Sequence, residues 1–261
     1  VGSFVLKKTD PNAPINEQTE PKNNPIPQPL SAQEKNRIIK EVLNVTYQMP
    51  SDTNQRAAKT RPNMPLSAEK EEHISQRILL IGDSETGGLI YPLNDYCVAN
   101  GHKLEAVYTW FSASILNFGY SNKVDELMEK YKPTFVIFVV GLNELYAKDL
   151  KRRKTAALRL IEKFKGINYL WIGPANFDED FGINDVFNSA AEPGKFFYTK
   201  ELEIPRGKDG RHPNKKGYEL WMKSLANHIQ QSNLYDFRFD PPSRFDTRVR
   251  GRLLRSNTQN E

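Results

Sequence analysis

Six apolar residues stand together at Phe135-Val136-Ile137-Phe138-Val139-Val140, with no polar side chain among them. A strand that is apolar on both faces is typical of the centre of a parallel sheet, where helices cover both sides. Shorter runs of the same kind occupy Ile78–Ile81, Leu104–Trp110 and Tyr169–Ile172. Helical patterns alternate with these runs, near Asn122–Tyr131, Leu150–Lys165 and Asn214–Gln231. This alternation predicts an α/β fold, an open and doubly wound parallel sheet with helices on both faces.

Composition narrows the classes of protein to which the chain can belong. Its 261 residues carry 37 Lys and Arg against 32 Asp and Glu, a modest basic excess that does not by itself call for nucleic acid. No apolar run approaches the roughly 20 residues of a membrane-spanning helix. Cys97 is the only cysteine, and the four histidines lack the spacing of metal ligands. Neither a metal nor a cofactor is therefore predicted.

Three segments of the chain differ in composition. Residues 1–75 are polar and rich in Pro and Asn, which predicts a tether with one short helix over Ser31–Val45. An arm that binds a specific partner is the alternative. Residues 76–232 hold the strand and helix patterns and are predicted to form the domain. Residues 233–261 mix arginine with phenylalanine, and we expect them to wrap the domain or contact a protein partner. Nucleic-acid binding is the weaker alternative, because nearby aspartates partly cancel the charge.

Ser84 follows the first strand directly, within Gly82-Asp83-Ser84. A serine there can present its hydroxyl at the sheet edge, close to the N–H groups that open the next helix, as a nucleophile requires. Taken alone, a serine that only caps this helix is the simpler interpretation. Asp83 is expected to shape the turn through hydrogen bonds.

Asp209 and His212 stand three residues apart in a turn that contains Gly210. This spacing lets the aspartate bind one ring nitrogen while the other faces Ser84, so His212 can act as base and Asp209 as its orienter. A plain polar turn before a helix is the alternative. Asn143 follows the third strand, where its amide could donate to a developing oxyanion or simply close an Asx turn.

Gly82-Asp83-Ser84, Gly141-Leu142-Asn143-Glu144 and Asp209-Gly210-Arg211-His212 resemble three sequence blocks of the SGNH/GDSL hydrolase superfamily. The resemblance covers roughly residues 76–232. It implies a flavodoxin-like three-layer sandwich and ester hydrolysis through an acyl-serine, with Ser84, Asp209 and His212 as the catalytic triad. It also implies an oxyanion hole made by the Ser84 N–H, the Asn143 side chain and a further backbone N–H.

Two positions depart from the pattern of this superfamily. Glu144 stands where the third block usually ends in aspartate, which we expect to be a mild change because the residue is mainly structural. The second block usually contributes a glycine after the second strand, and here that turn has none. By its distance from the strand, Ser114 occupies the place of this glycine, so its N–H is expected to complete the oxyanion hole.

The substrate is expected to be an acylated carbohydrate. Trp110, Trp171 and Asn176 are predicted to line the pocket, although core packing is the simpler interpretation of Trp171. The Gly-Pro that follows the fourth strand resembles that of family members acting on acetylated cell-wall sugars or polysaccharides, which favours O-acetyl esters. An acetyltransferase using the same triad is one alternative, and a structural or binding module with tails that mediate assembly is another. Val1 opens no recognisable signal peptide, so we expect a trimmed form of an exported or particle-associated protein.

Overall fold

The computed structural model describes residues 74–246 and 248–256. The tether predicted for residues 1–75, with its helix over Ser31–Val45, therefore falls almost wholly outside the described residues. The domain predicted over residues 76–232 lies entirely within them, together with most of the C-terminal segment.

The strands form one sheet of six. In chain order they are β1 (Arg77–Gly82), β2 (Lys103–Thr109), β3 (Phe135–Val139), β4 (Asn168–Ile172), β5 (Phe196–Phe197) and β6 (Arg252–Arg255). All neighbours pair in parallel, in the order β5-β4-β3-β1-β2-β6. The first five strands follow the order 2-1-3-4-5 of flavodoxin-like sheets. The predicted parallel α/β fold is confirmed.

Helices cover both faces of this sheet. They are α1 (Thr86–Ala99), α2 (Ile115–Tyr120), α3 (Lys123–Tyr131), α4 (Leu150–Lys163), α5 (Ile183–Ala190) and α6 (Lys215–Gln231). Helices α1 and α6 pack on one face, where Leu93 and Trp221 are fully buried, and the other four cover the opposite face, around Phe118 and Leu160. Within the described residues, no helix has the length and apolar character needed to span a bilayer.

The carboxyl ends of β1 and β3 meet at the centre of one sheet edge. Every residue of β3 is buried, as its apolar sequence predicts. Gly82 ends β1 so close to β3 that a Cβ atom there would lie 2.0 Å from the Val139 carbonyl oxygen. Strand order reverses at this point, since β2 lies on one side of β1 and β3 on the other. Ligands of open α/β sheets bind at such a crevice.

The C-terminal segment belongs to the same folded unit as the domain. The sequence predicted a boundary at residue 232, yet Tyr235 and Phe239 are buried in the core beneath α1 and α6. Further along, β6 pairs with β2 and adds a sixth strand to the sheet. Residues 233–246 and 248–256 thus pack with the domain predicted over residues 76–232.

Candidate active site

Ser84 lies in the turn that joins β1 to α1, at the crevice between β1 and β3. Its Oγ is 2.8 Å from Nε2 of His212, 128 residues away in sequence. The N-cap residue of α1 is Glu85, and no side chain caps that helix. The capping interpretation of Ser84 is therefore not what the structure shows. Its hydroxyl is instead aligned with an imidazole.

The loop before α6 holds His212 in place. Asp209 accepts a hydrogen bond from Nδ1 of His212 through Oδ2, at 2.6 Å. Its other oxygen accepts the backbone N–H groups of Arg211 and His212 at 3.0 and 3.1 Å. Gly210 supplies the positive φ of 68° that this tight turn needs. These hydrogen bonds, that of the imidazole first, lower the pKa of Asp209 to about 2, so the side chain stays a carboxylate.

Asp83 fastens the turn of the nucleophile to the turn after β3. Its two carboxylate oxygens accept the N–H groups of Glu85 at 3.0 Å and Gly141 at 3.2 Å. The side chain is fully buried, and burial raises its pKa to about 6 against the opposing effect of these backbone donors. Asp83 therefore shapes the turn, as predicted from the sequence.

The oxyanion donors predicted at Ser84 and Asn143 follow β1 and β3, two strands that are neighbours in the sheet. No hydrogen-bond partner occupies the Ser84 N–H among the described residues. The Asn143 side chain is exposed and donates one amide hydrogen to the Ala113 carbonyl at 3.0 Å, which leaves its second hydrogen available. This contact spans 30 residues, so the amide does not close a local Asx turn.

Ser114 does not contribute the donor that the sequence predicted. Its N–H donates to Oδ1 of Asn117 at 2.8 Å, within a capping box that opens α2. The preceding N–H, that of Ala113, is also engaged and donates to the Trp110 carbonyl at 3.1 Å. The prediction failed because Ser114 is the N-cap residue of α2, and the Asn117 side chain accepts its N–H. Ser112 in the same turn has a φ of 57°, in the left-handed region.

The three predicted pocket residues differ in position. Trp171 is wholly buried on β4, packed against Phe187 and Phe138, so its assignment to a pocket was wrong. Asn176 is half-buried, and its amide group donates to Asp180 at 3.1 Å, in the loop after β4. Trp110 is half-buried at the end of β2, where it lines an open cavity.

Glu144 connects the turn after β3 to helices α2 and α4. One of its buried oxygens accepts the Ile115 N–H at 2.8 Å, and the other accepts Nε of Arg153 at 2.8 Å. The residue thus fixes the start of α2 to the turn after β3, in agreement with the structural role expected for it. Burial raises its pKa to about 7.

A chain of hydrogen bonds that the sequence did not predict joins the two catalytic turns. Glu85, next to the nucleophile, accepts the Ala175 N–H at 2.9 Å. The Arg206 guanidinium donates to the Ala175 carbonyl at 3.0 Å, to the Asn176 carbonyl, and to the carbonyl of Arg211, next to the base. No sequence motif marks this arginine, because its partners are backbone carbonyls from distant segments.

The triad is open to solvent. The Asp209 side chain is 49% exposed and that of His212 is 35% exposed. A cavity of about 500 Å³ lies beside them between α1 and α6, lined by residues such as Tyr91 and Tyr218 rather than by the triad. Within the described residues, no group of three or more His, Cys, Asp or Glu side chains could hold a metal ion.

Comparison with known proteins assigns no family to this chain. A scan against models of protein families finds no match, and a search of curated proteins finds none either. Function has to be inferred from the site itself.

Proposed function

We propose that this protein is a serine esterase of SGNH type that hydrolyses carboxylic esters through an acyl-serine. The observation that carries the proposal is the aligned series Ser84–His212–Asp209, with contacts of 2.8 and 2.6 Å. Those contacts lie within the 2.6–3.2 Å expected between a nucleophile, its base and the orienting group.

The geometry supports a two-step reaction. Ser84 Oγ attacks the ester carbonyl carbon as its proton passes to Nε2 of His212, and the carbonyl oxygen becomes an oxyanion. In this proposal the Ser84 N–H and the second Asn143 amide hydrogen stabilise that charge. The ester C–O bond then breaks, and the leaving alcohol takes the proton from His212. Water activated by the same imidazole hydrolyses the acyl-serine and returns the proton.

Asp209 supports both steps by holding one tautomer. Because it accepts the proton on Nδ1, the Nε2 atom that faces Ser84 is left as the acceptor. A carboxylate with a pKa of about 2 also stabilises the imidazolium that forms.

An ester carried by a carbohydrate, in particular an O-acetyl ester, is the substrate we propose. The open position of the triad, with Asp209 and His212 partly exposed, suits an acyl group that projects from a large molecule. An acetyltransferase uses the same residues but must keep water away from the acyl-serine. Exposure of the triad favours hydrolysis over transfer.

Hydrolysis of p-nitrophenyl acetate tests the proposal. We expect turnover by the wild-type protein and loss of nearly all of it in Ser84→Ala and in His212→Ala. The two losses should be similar, because the residues act as one unit. Asp209→Asn should retain more activity than either. Wild-type levels of hydrolysis in His212→Ala would mean that another group is the base.

A further inference from the structure

A second cavity is formed by the residue after β2 together with residues of α2 and α4. It has a volume of about 400 Å³, opens widely to solvent, and is lined by Trp110, Leu116, Asn117, Tyr120, Ser121 and Arg152. Two aromatic rings with a few polar groups form the usual lining of a small-molecule site of this size. Flat aromatic faces match the C–H faces of sugar rings, and the polar groups between them can bind hydroxyls.

Hydrogen bonds tie this cavity to the catalytic crevice. The Trp110 N–H donates to the Gly82 carbonyl at 2.8 Å, two residues before the nucleophile. The turn from Trp110 to Ala113 then presents its last carbonyl to Asn143, the candidate oxyanion donor. The segment from Trp110 to Ala113 is therefore shared by the cavity, which Trp110 lines, and by the candidate oxyanion donor Asn143.

Two polar side chains that line the cavity have hydrogen-bonding groups without a partner in the described part of the chain. Asn117 uses its side-chain oxygen to accept from the Ser114 N–H, while its NH₂ group has no partner among the described residues. Arg152 is exposed and has no ion pair within the described part of the chain, whereas its neighbour Arg153 pairs with Glu144 and Asp149.

A second arginine of α4, Arg159, contacts one of the residues that line the cavity. The Arg159 guanidinium lies 4.7 Å from the centre of the Tyr120 ring, on the same helix as Arg152. Tyr120 is 44% exposed. Arg152 is the arginine of α4 that lines the cavity itself, and a guanidinium binds a carboxylate or phosphate through two parallel hydrogen bonds.

We infer that this cavity, defined by Trp110, Tyr120 and Arg152, binds an acidic sugar residue of the substrate. The aromatic rings contact the sugar, and Arg152 binds its carboxylate or phosphate. The inference rests on the proposed esterase function and narrows its substrate to acylated anionic glycans.

Matched substrates test the charge of the ligand. Kinetics would be measured with acetylated oligogalacturonate, an acetylated neutral cello-oligosaccharide, an acetylated hexose 6-phosphate and p-nitrophenyl acetate. We expect the wild-type protein to favour the anionic sugars, and to lose this preference as salt screens the charge. The uronate and the sugar phosphate together show which oxyanion Arg152 accepts.

Variants assign the preference to this cavity. Arg152→Gln should raise KM for the favoured anionic ester about tenfold, the effect of losing one charged hydrogen bond, with kcat little changed. Lys151→Gln is the matched control, since it removes the same charge one residue away and does not line the cavity. Tyr120→Ala should raise KM for both oligosaccharides, because an aromatic ring that contacts the sugar is lost.

Two results separate failure of this inference from failure of the esterase proposal. An active enzyme that hydrolyses neutral and anionic sugars equally, with Arg152→Gln no different from Lys151→Gln, would overturn the subsite alone. Binding can also be measured without turnover, by calorimetry of the Ser84→Ala protein with oligogalacturonate. Binding that weakens in Ser84→Ala/Arg152→Gln but not in Ser84→Ala/Lys151→Gln supports the subsite, and equal binding by the two double variants contradicts it.

Discussion

Arg206 links the loop of the base to the turn of the nucleophile. Its guanidinium donates to the carbonyls of Ala175 and Arg211, and Glu85 holds the N–H of the same Ala175. The segments that carry Ser84 and His212 are thus joined through backbone groups. The 2.8 Å contact between those two side chains depends on the relative position of the two segments.

Arg206→Ala should therefore impair the chemical step. We expect kcat to fall by about 100-fold with little change in KM, since a displacement of about 1 Å at a catalytic group has this effect. Added guanidinium ion at millimolar concentration should restore part of the activity. Arg77→Ala is the control, because the Arg77 guanidinium also binds the backbone, with two hydrogen bonds to the Lys132 carbonyl, but at the opposite end of β1. Equal kcat in the two variants would argue against a positioning role.

At the level of elements, sequence patterns predicted the strands and helices that have a regular apolar period. The all-apolar β3 and the amphipathic α4 are examples, and both were found close to their predicted bounds. Helix α1 was not given bounds, because its glycines and Pro92 hide the period. Strand β6 was not predicted, because only one of its four residues is half-buried and the other three are exposed, so it has no apolar pattern. Its place in the sheet comes from pairing with β2, far away in sequence.

The residues of the candidate site also fall into those that the sequence predicted and those that it did not. Ser84 and Asn143 were identifiable because short sequence blocks carry them at strand ends, and Asp209 and His212 because another block carries them just before α6. The roles of Arg206 and of the Ser114 N–H could not be predicted, because both depend on hydrogen bonds that involve backbone groups. Such hydrogen bonds produce no recognisable spacing of side chains in the sequence. Trp171 was misplaced since a tryptophan at a strand end serves a core or a pocket equally well.

Two buried asparagines on α1 and at its C-terminal end fasten the C-terminal segment. Asn94 donates to the Arg248 carbonyl at 2.8 Å and accepts the Arg250 N–H at 3.0 Å. Asn100 does the same with both backbone groups of Asp240, each at 2.8 Å. Each asparagine thus binds the backbone of the segment that precedes β6 through one donor and one acceptor, as a neighbouring strand would.

Asn94→Ala should loosen this segment. We expect a loss of about 1–3 kcal/mol in the free energy of unfolding. The reason is that the Arg248 carbonyl and the Arg250 N–H, both partly buried, lose their hydrogen-bond partner. Urea denaturation measures this loss, and limited proteolysis should show earlier cleavage near residue 248. Asn227→Ala, at an exposed position of α6, provides the control and should change stability little. Protection from protease equal to that of the wild type would show that β6 is held by other contacts.

For the molecule as a whole, buried carboxyl groups determine how stability varies with pH. Burial, and then the charge of Asp83, raises the pKa of Glu85 well above its ordinary range. Burial likewise raises the pKa of Asp83 to about 6 and that of Glu144 to about 7. Unfolded acids of these types titrate near pH 4, so above that pH the unfolded chain binds fewer protons than the folded one. Stability is therefore expected to fall as pH rises from about 4 to 7.

Glu85→Gln should reduce this fall. The amide oxygen can still accept the Ala175 N–H, while no proton has to be taken up when the side chain is buried on folding. We expect the variant to gain stability relative to the wild type at pH 7.5 and to match it more closely at pH 5, as measured by urea unfolding. Glu162→Gln, on the exposed face of α4, controls for the loss of one surface charge. A wild-type stability that rises between pH 5 and 7.5 would contradict the assignment.

Covalent labelling tests the central claim, that Ser84 is an activated nucleophile, most directly. Intact-mass spectrometry after treatment with a fluorophosphonate should show a single adduct, and peptide mapping should place it on Ser84. Ser84→Ala should remain unlabelled, and His212→Ala should be labelled far more slowly. An adduct on another serine, or no adduct on a correctly folded wild-type protein, would contradict the account.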